Sequence, residues 1–233
     1  MKSILTLFSV SALLFMVSCQ NGPDQKAADS TKPAAAVVAP VKPANVLAVW
    51  HKLANYSKWM QGYEAHDSSR LASGLHNYVI GRDLADSNMV LVALKMDDVA
   101  KAKSFISAPD LKAAMEKGGV LGKPTPVFLD VQMMDTATNT TTTRIMVTHK
   151  VKDYDAWKKV YDEDKQMRMD AGLTDRSLAY SFDDRNEVTL VFAVSDMKKA
   201  KDFMNSKALK DKMAAGGVIG APTVHMYTVA KKW

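Results

Sequence analysis

Two histidines at matching positions carry the side chain that most readily moves a proton near neutral pH. His51 and His149 each end a short segment in which residue types alternate with period two, which predicts a strand. An imidazole beside an aromatic-walled pocket can take a proton from an activated carbon atom. His51 and His149 are therefore the candidate catalytic residues. The five histidines show no metal-ligand spacing and no nucleophile elbow is present, so we predict no metal site and no bound cofactor.

Aromatic and charged residues follow each histidine on a predicted helix. Plotted at 100° per residue, Trp157, Tyr161 and Arg168 lie on one stripe, which must face the sheet. Asp164 lies inside this stripe and is spaced to pair with Arg168. Because an unpaired charge on a buried stripe is unfavourable, the second half of the helix is predicted to border a cavity. The candidate ligand-binding residues are Trp59, Tyr63, His66 and Arg70 in the first copy, and Trp157, Tyr161, Asp164 and Arg168 in the second.

Each of these residues also has a structural explanation. Tryptophans dominate many helix–sheet cores, arginines can pair with a carboxylate at the rim of a sheet, and a histidine can form hydrogen bonds at a strand end. The Gly-Gly-Val-x-Gly-x-Pro segments that begin at Gly118 and Gly216 look like phosphate loops. They follow a helix C-terminus, where the helix dipole repels anions, so we interpret them as helix stops.

The matching residues belong to an internal duplication. Residues 47–131 align with residues 145–229 at a constant shift of 98 without a gap, and 27 of the 85 aligned positions are identical. A repeat of this length indicates that each copy is one structural unit.

Each copy predicts the element order β-α-β-β-α-β. The predicted strands are 46–52, 76–81 and 89–94 in the first copy and 144–150, 177–182 and 188–194 in the second, each copy ending with a strand after Pro124 or Pro222. This order is the ferredoxin-like motif, whose helices cover one face of an antiparallel sheet. The other face also needs cover, and the sister sheet is the nearest partner. The predicted fold class is α+β: two ferredoxin-like βαββαβ units in one chain, with their sheets packed face to face.

The predicted helices carry recognisable start and stop signals. Asn55 and Asp153 are expected to cap the first helix of each copy, which continues to a glycine at position 74 or 172. In the second helix of the first copy, Pro109 predicts a break, with Asp110 capping the remainder.

The first 44 residues differ in composition from the rest. Residues 4–17 form an apolar run that is too short to span a membrane and suits the core of a signal peptide. The segment Met16-Val17-Ser18-Cys19 resembles a bacterial lipobox, with Met16 where leucine is usual, and it contains the only cysteine of the chain. We therefore predict acylation of Cys19. The predicted divisions are a signal peptide at 1–18, a flexible Ala/Pro-rich tether at 20–44, a first unit at 45–134, a linker at 135–143 and a second unit at 144–233.

These signals predict a cellular location and a partner. A lipid-anchored protein of the cell envelope is expected, and Gln20 after the cysteine resembles the outer-membrane sorting signal of hosts with two membranes. The predicted partner is thus a membrane, reached through the lipid anchor. The net charge is +6, but basic residues are scattered among acidic ones with no basic run interleaved with aromatics, so nucleic acid is not an expected partner.

The motifs of each copy resemble those of the dimeric α/β-barrel superfamily, especially its cyclase-like and antibiotic-biosynthesis-monooxygenase-like members. The second copy carries the fuller set: His149, Lys150, Asp153, Tyr154, Trp157, Lys158, Arg168, Gly172, Gly216, Gly217, Gly220 and Pro222. The first copy departs from the pattern at Asn55 and Met60. In that superfamily two chains pair their sheets into a barrel, so the resemblance implies that this chain forms a covalent pseudo-dimer and can be a monomer.

Two functions remain open at this point. The first is a membrane-anchored lipoprotein that binds a small, partly aromatic molecule in a helix–sheet pocket. The second, which the resemblance implies, is a cofactor-independent monooxygenase-like or isomerase-like enzyme with a histidine as base and an arginine holding an anion. The copies differ at several pocket positions, for instance His66 against Asp164, which favours at most one working active site.

Overall fold

Both predicted units are present in residues 42–233, the part of the chain that the computed structural model describes. The first unit consists of β1 Asn45–Leu53, α1 Tyr56–Ala65, α2 Asp67–Ala72, β2 Leu75–Asp83, β3 Met89–Met96, α3 Val99–Ile106, α4 Pro109–Lys117 and β4 Val120–Met134. The second consists of β5 Thr143–Val151, α5 Tyr154–Glu163, α6 Lys165–Asp170, β6 Leu173–Ser181, β7 Glu187–Val194, α7 Met197–Asn205, α8 Lys207–Ala215 and β8 Val218–Lys232. The predicted signal peptide, Cys19 and residues 20–41 of the predicted tether lie outside the described residues.

The eight strands close into one barrel in the order β1-β3-β2-β8-β5-β7-β6-β4. Two antiparallel seams join the units, one between β2 and β8 and one between β4 and β6. The predicted fold class is confirmed: two ferredoxin-like units form an intrachain dimeric α/β barrel. Their sheets face each other and also share hydrogen-bonded edges, so closure pairs strands that would otherwise expose their backbone groups.

Strand β1 shows how the barrel is covered on both faces. Its residues Val46, Ala48 and Trp50 belong to the apolar cluster inside the barrel. The alternate residues Leu47 and Val49 pack beneath the helices of the first unit. Strand β5 follows the same alternation, with Met146 inside the barrel and Ile145 beneath the helices of the second unit. Residues 42–233 therefore form three apolar cores, one inside the barrel and one under each helical layer.

The first helix of each unit begins as predicted but is divided. The side chains of Asn55 and Asp153 accept hydrogen bonds from the backbone at 2.9 and 2.7 Å, which confirms them as N-caps. The prediction of one continuous helix is wrong, because ψ of 14° at His66 and 12° at Asp164 interrupts the α-helical turn.

None of the helices in residues 42–233 is long and apolar enough to cross a membrane.

The second helix is divided in both units. Pro109 marks the break in the first unit as predicted, but it is the first helical residue and Ala108 takes the cap position, so the prediction of an Asp110 cap is wrong. The second unit breaks without a proline. There the hydroxyl of Ser206 accepts a hydrogen bond from the Leu209 backbone N–H at 3.1 Å and starts the new helix.

The last strands begin earlier than predicted, before the prolines. Trp50 pairs with Thr125 and Lys52 with Leu121, so residues 122–124 stand out of register. Gly122 adopts φ of +69°, which favours glycine. Pro124 therefore lies where the ladder needs no backbone N–H, and the strand continues around it.

Candidate functional site

The two candidate catalytic histidines lie on the outer face of the barrel, beneath the helices. His51 is 6% exposed and His149 8%. All four ring nitrogens are buried without a hydrogen-bond partner in residues 42–233. Burial lowers the pKa of each imidazole to about 4, so both rings are neutral at pH 7.

A column of four side chains starts at each histidine. In the first unit the ring centroids are 5.5 Å apart for His51 and Trp59 and 5.0 Å for Trp59 and Tyr63, and the Arg70 guanidinium lies 3.7 Å above the tyrosine ring. The second unit repeats these distances at 5.4, 5.0 and 3.7 Å. We call these the first column (His51, Trp59, Tyr63, Arg70) and the second column (His149, Trp157, Tyr161, Arg168).

Each column lines a cavity between the helices and the sheet. Pocket one has a volume of about 90 Å³ and is bordered by the first column, by His66 at the helix break and by Phe105 and Met115. Pocket two has a volume of about 120 Å³ and is bordered by the second column, by Asp164 at the equivalent break and by the sister residues Phe203 and Met213. The structure thus gathers all ten predicted site residues around two cavities.

The polar groups of pocket one are incompletely satisfied. Arg70 is 4% exposed and donates one hydrogen bond, from Nη2 to Asp67 at 3.1 Å, while its Nε has no partner among the described residues. Nδ1 of His66 is also buried without a partner there. Tyr63 donates to Asn77 at 2.6 Å, and burial raises the pKa of this tyrosine to about 12.

Pocket two holds its arginine more tightly. Arg168 donates from Nε and Nη2 to the two carboxylate oxygens of Asp175 at 2.9 and 2.8 Å, and from Nη1 to the backbone oxygen of Tyr161 at 2.6 Å. The hydroxyl of Tyr161 is buried without a partner in residues 42–233. Burial is the main cause that raises the pKa of this tyrosine.

The predicted pair between Asp164 and Arg168 does not form. Asp164 pairs instead with Lys212 of α8 at 2.7 Å. Arg168 turns to Asp175 on β6, which offers both carboxylate oxygens to the planar guanidinium. Two partners from other elements, β6 and α8, thus replace one pair within the helix, and the spacing along the helix gave no sign of them.

Several residues that line the pockets were not predicted. Phe105, Leu111 and Met115 come from α3 and α4 and close pocket one on the side opposite the sheet. Their sister residues do the same in pocket two. All three are identical in the two copies, so the repeat alignment contained a signal for them.

The chemistry available in both pockets is that of a neutral imidazole between apolar walls. Such a ring offers one donor and one acceptor. A general base acts best with a pKa near the working pH, and a pKa of about 4 makes each imidazole a weak base at pH 7. Among residues 42–233 no group of three His, Asp, Glu or Cys side chains is placed to hold a metal ion.

Comparison with solved structures gives the same fold. The chain is similar to a candidate monooxygenase from Fusobacterium nucleatum (15% identity, 81% of this chain and 93% of that chain, TM-score 0.55). It is also similar to an anthrone oxidase-like protein (10%, 82% and 92%, 0.54) and to a haem-binding protein from Thermus thermophilus (8%, 82% and 92%, 0.51). No protein-family model matches the sequence, and no curated protein matches it. At these identities the likeness establishes the dimeric α/β-barrel fold that the motifs predicted.

Proposed function

We propose that the protein binds a small aromatic molecule carrying a hydroxyl or carbonyl group in pockets one and two. The observation that carries the proposal is the pair of buried imidazoles whose four nitrogens lack partners in residues 42–233. A buried polar group without a hydrogen bond is unfavourable by roughly 1–3 kcal/mol. A ligand hydroxyl or carbonyl would supply the missing partner.

The volume of the pockets limits the ligand to about one ring. An engineered cavity of roughly 150 Å³ binds benzene, whereas drug-sized ligands occupy roughly 300–1,000 Å³. Pockets of about 90 and 120 Å³ fall at the small end of this scale. A haem macrocycle does not fit either pocket, so the haem-binding neighbour is no guide to the ligand. The apolar walls favour a neutral ring, as in a phenol or a quinone.

Phenol is the simplest probe of this proposal. We expect calorimetric titration of the full chain to find two phenol sites, with one site lost in His51→Phe, one in His149→Phe and both in the double variant. Phenylalanine keeps a planar ring but removes both hydrogen-bonding nitrogens. His76→Phe is the control and should retain both sites, because His76 lies on the surface with Nε2 in hydrogen-bond contact with Asp97 at 2.9 Å. Phenol binding that survives in the double variant would refute the proposal.

A cofactor-independent oxidation is a second candidate function, and pocket one favours it over pocket two. There His51 and Arg70, whose Nε has no partner among the described residues, border the same cavity. The guanidinium would stabilise the hydroquinone anion, and the weakly basic imidazole would accept its hydroxyl proton. Two electrons would pass to dioxygen, which with this proton and that of the second hydroxyl would give hydrogen peroxide and the quinone. We expect oxygen uptake with 1,4-hydroquinone to require Arg70 and to persist in Arg168→Lys. Uptake no faster than without protein would exclude this function for that substrate.

The envelope location is also a proposal. It rests on the apolar run before Cys19 and on that cysteine being the only one in the chain. Labelled palmitate should be incorporated into the wild-type chain expressed in a bacterium and not into Cys19→Ser. Equal labelling of the two chains would exclude acylation at Cys19.

A further inference from the structure

A third cavity lies inside the barrel, on the opposite face of the sheet from pockets one and two. Its volume is about 110 Å³, and most of its wall consists of small and branched apolar residues. Two arginines, Arg144 on β5 and Arg176 on β6, also border it. Charged side chains on the inner face of a narrow barrel are unfavourable unless they are compensated, because apolar residues of similar size would pack there without a desolvation penalty.

The guanidinium of Arg144 is fixed in place but not neutralised. Its Nη1 donates to the backbone oxygen of Thr141, in the segment that joins the units, at 2.7 Å, and to that of Thr143, the first residue of β5, at 2.8 Å. No carboxylate of residues 42–233 lies within ion-pair distance of it, and its Nε and Nη2 form no hydrogen bond with those residues. Arginine keeps its charge in proteins. Arg144 thus presents two oriented donors and a positive charge beside an apolar chamber.

The charge around this cavity is unbalanced in one direction. Arg176 pairs with Asp135 at 2.5 Å. Lys232 borders the same cavity, and the ammonium of Lys95 lies 5.1 Å from the ring centre of Tyr78 on its wall. Only one of these four cations has a carboxylate partner among the described residues. This end of the barrel is therefore an environment that favours an anion.

The duplication shows that the two arginines belong to one half of the barrel. The positions equivalent to Arg144 and Arg176 in the first unit are Val46 and Tyr78. Both of these residues also border the cavity. One wall therefore carries both arginines, and the facing wall carries an apolar residue and a phenol group with Lys95 beside it. Such a chamber suits a ligand with one charged end and one apolar body.

We propose that the barrel interior binds a small monocarboxylic acid with an apolar body of about one ring, its carboxylate held by Nε and Nη2 of Arg144. A carboxylate matches the two parallel donors of a guanidinium. The volume limits the body to the size of benzoate or of a short acyl chain. This site is separate from the two phenol pockets, so neither proposal depends on the other.

Benzoate is the probe, and benzamide, which has the same shape without the charge, is the matched comparison. We expect calorimetric titration of the full chain to find one benzoate site and no comparable benzamide binding. Arg144→Met should weaken benzoate binding by roughly tenfold to a hundredfold, the range for a charge-assisted bidentate contact. Arg144→Lys keeps the positive charge without the two parallel donors of the guanidinium and should give a smaller loss of benzoate affinity. The His51→Phe/His149→Phe variant should bind benzoate like the wild type.

Thermal unfolding without ligand checks that each variant is folded. If Arg144→Met is not folded, the benzoate test is made with Arg144→Lys instead. Lys150→Met controls for general charge, because Lys150 lies on the same strand with its ammonium paired to Asp184 at the surface. Benzoate affinity that is unchanged in both Arg144 variants, or equal to that of benzamide, would overturn the proposal. Failure of the full chain to bind benzoate or hexanoate would overturn it as well.

Discussion

The two units keep the same four-residue column and surround it with different polar partners. Histidine, tryptophan, tyrosine and arginine occupy equivalent positions with nearly equal spacing in both. In the second unit Asp175 saturates the arginine, and Lys212 pairs with the residue at the helix break. In the first unit Asn77 and Ala114 stand at those two positions, and Nε of Arg70 has no partner in residues 42–233.

The inner wall of the barrel shows the opposite behaviour. Trp50 and Thr148, which occupy equivalent positions, differ in size and polarity, as do Val46 and Arg144. The duplication has thus kept the outer pockets alike and let the interior diverge. Residues that are the same in both outer pockets indicate a role common to the two units. Residues that differ indicate where the two pockets can have different properties. Four predictions test this division.

The largest predicted effect is a decrease in the free energy of unfolding on acidification. His51 and His149, one from each unit, should contribute equally to it. The imidazoles are neutral in the native state, with pKa values of about 4, and titrate near 6.5 when unfolded. Between these values the unfolded chain binds more protons, so stability falls as pH falls from about 6.5 to about 4. The loss is about 3 kcal/mol per histidine.

Urea unfolding at several pH values checks this. His51→Phe and His149→Phe should each remove about half of the histidine-linked loss, and at pH 7 each should be as stable as the wild type or more so, since a partnerless buried polar group is gone. Unequal recovery in the two variants would show that the columns are not equivalent.

The next prediction separates the two arginines. Arg168→Met leaves the carboxylate of Asp175, which is 13% exposed, without its partner, and breaking such a buried pair destabilises by roughly 3–5 kcal/mol. Arg70→Met leaves Asp67, which is 43% exposed, and should lower the free energy of unfolding by only about 1 kcal/mol. Denaturant midpoints at pH 7 measure both changes. Similar losses would mean that the partners of the arginines do not distinguish the units.

The third prediction concerns the two seams of the barrel. At the β2–β8 seam, a Cβ added to Gly81 would overlap the ring of Tyr227. The equivalent residues at the β4–β6 seam are Ala179 and Leu129, where a methyl group is already accommodated. Gly81→Ala should therefore destabilise the barrel by about 1–3 kcal/mol. Adding Tyr227→Leu should restore most of this stability, and additive losses in the double variant would contradict the steric explanation.

Much of the fold was readable from the chain because local signals and the duplication agreed. The N-caps Asn55 and Asp153 predicted the helix starts, and the repeated β-α-β-β-α-β order predicted a sheet covered on both faces. The helix break at Asp164 was not readable, since the hydrophobic stripe passes through it without a proline or glycine. The break at Ser206 was missed for the same reason, although serine is a good N-cap.

The sequence predicted only those parts of the candidate site whose residues lie on one predicted helix. Trp157, Tyr161 and Arg168 share a stripe, so their convergence followed from helical geometry. Asp175 and Lys212 reach the site from other elements, and their placement depends on the turn at Gly172 and on the packing of α8 against α5. Contacts of that kind are set by tertiary packing, which no spacing in the sequence encodes.

The smallest predicted effect concerns the exchange of two residues at pocket two, Asp164 and Lys212, for those at the equivalent positions of pocket one. Asp164 is 14% exposed and Lys212 40%, so Lys212→Ala should cost about 1 kcal/mol or less, chiefly by leaving Asp164 unpaired. Replacing both residues with their sisters, as Asp164→His/Lys212→Ala, removes the charge and its partner together. The double variant should therefore be more stable than Lys212→Ala alone, and phenol should bind pockets one and two with more similar affinities. A double variant less stable than Lys212→Ala would show that Asp164 supports the helix break by itself, and that the two pockets differ in backbone as well as in side chains.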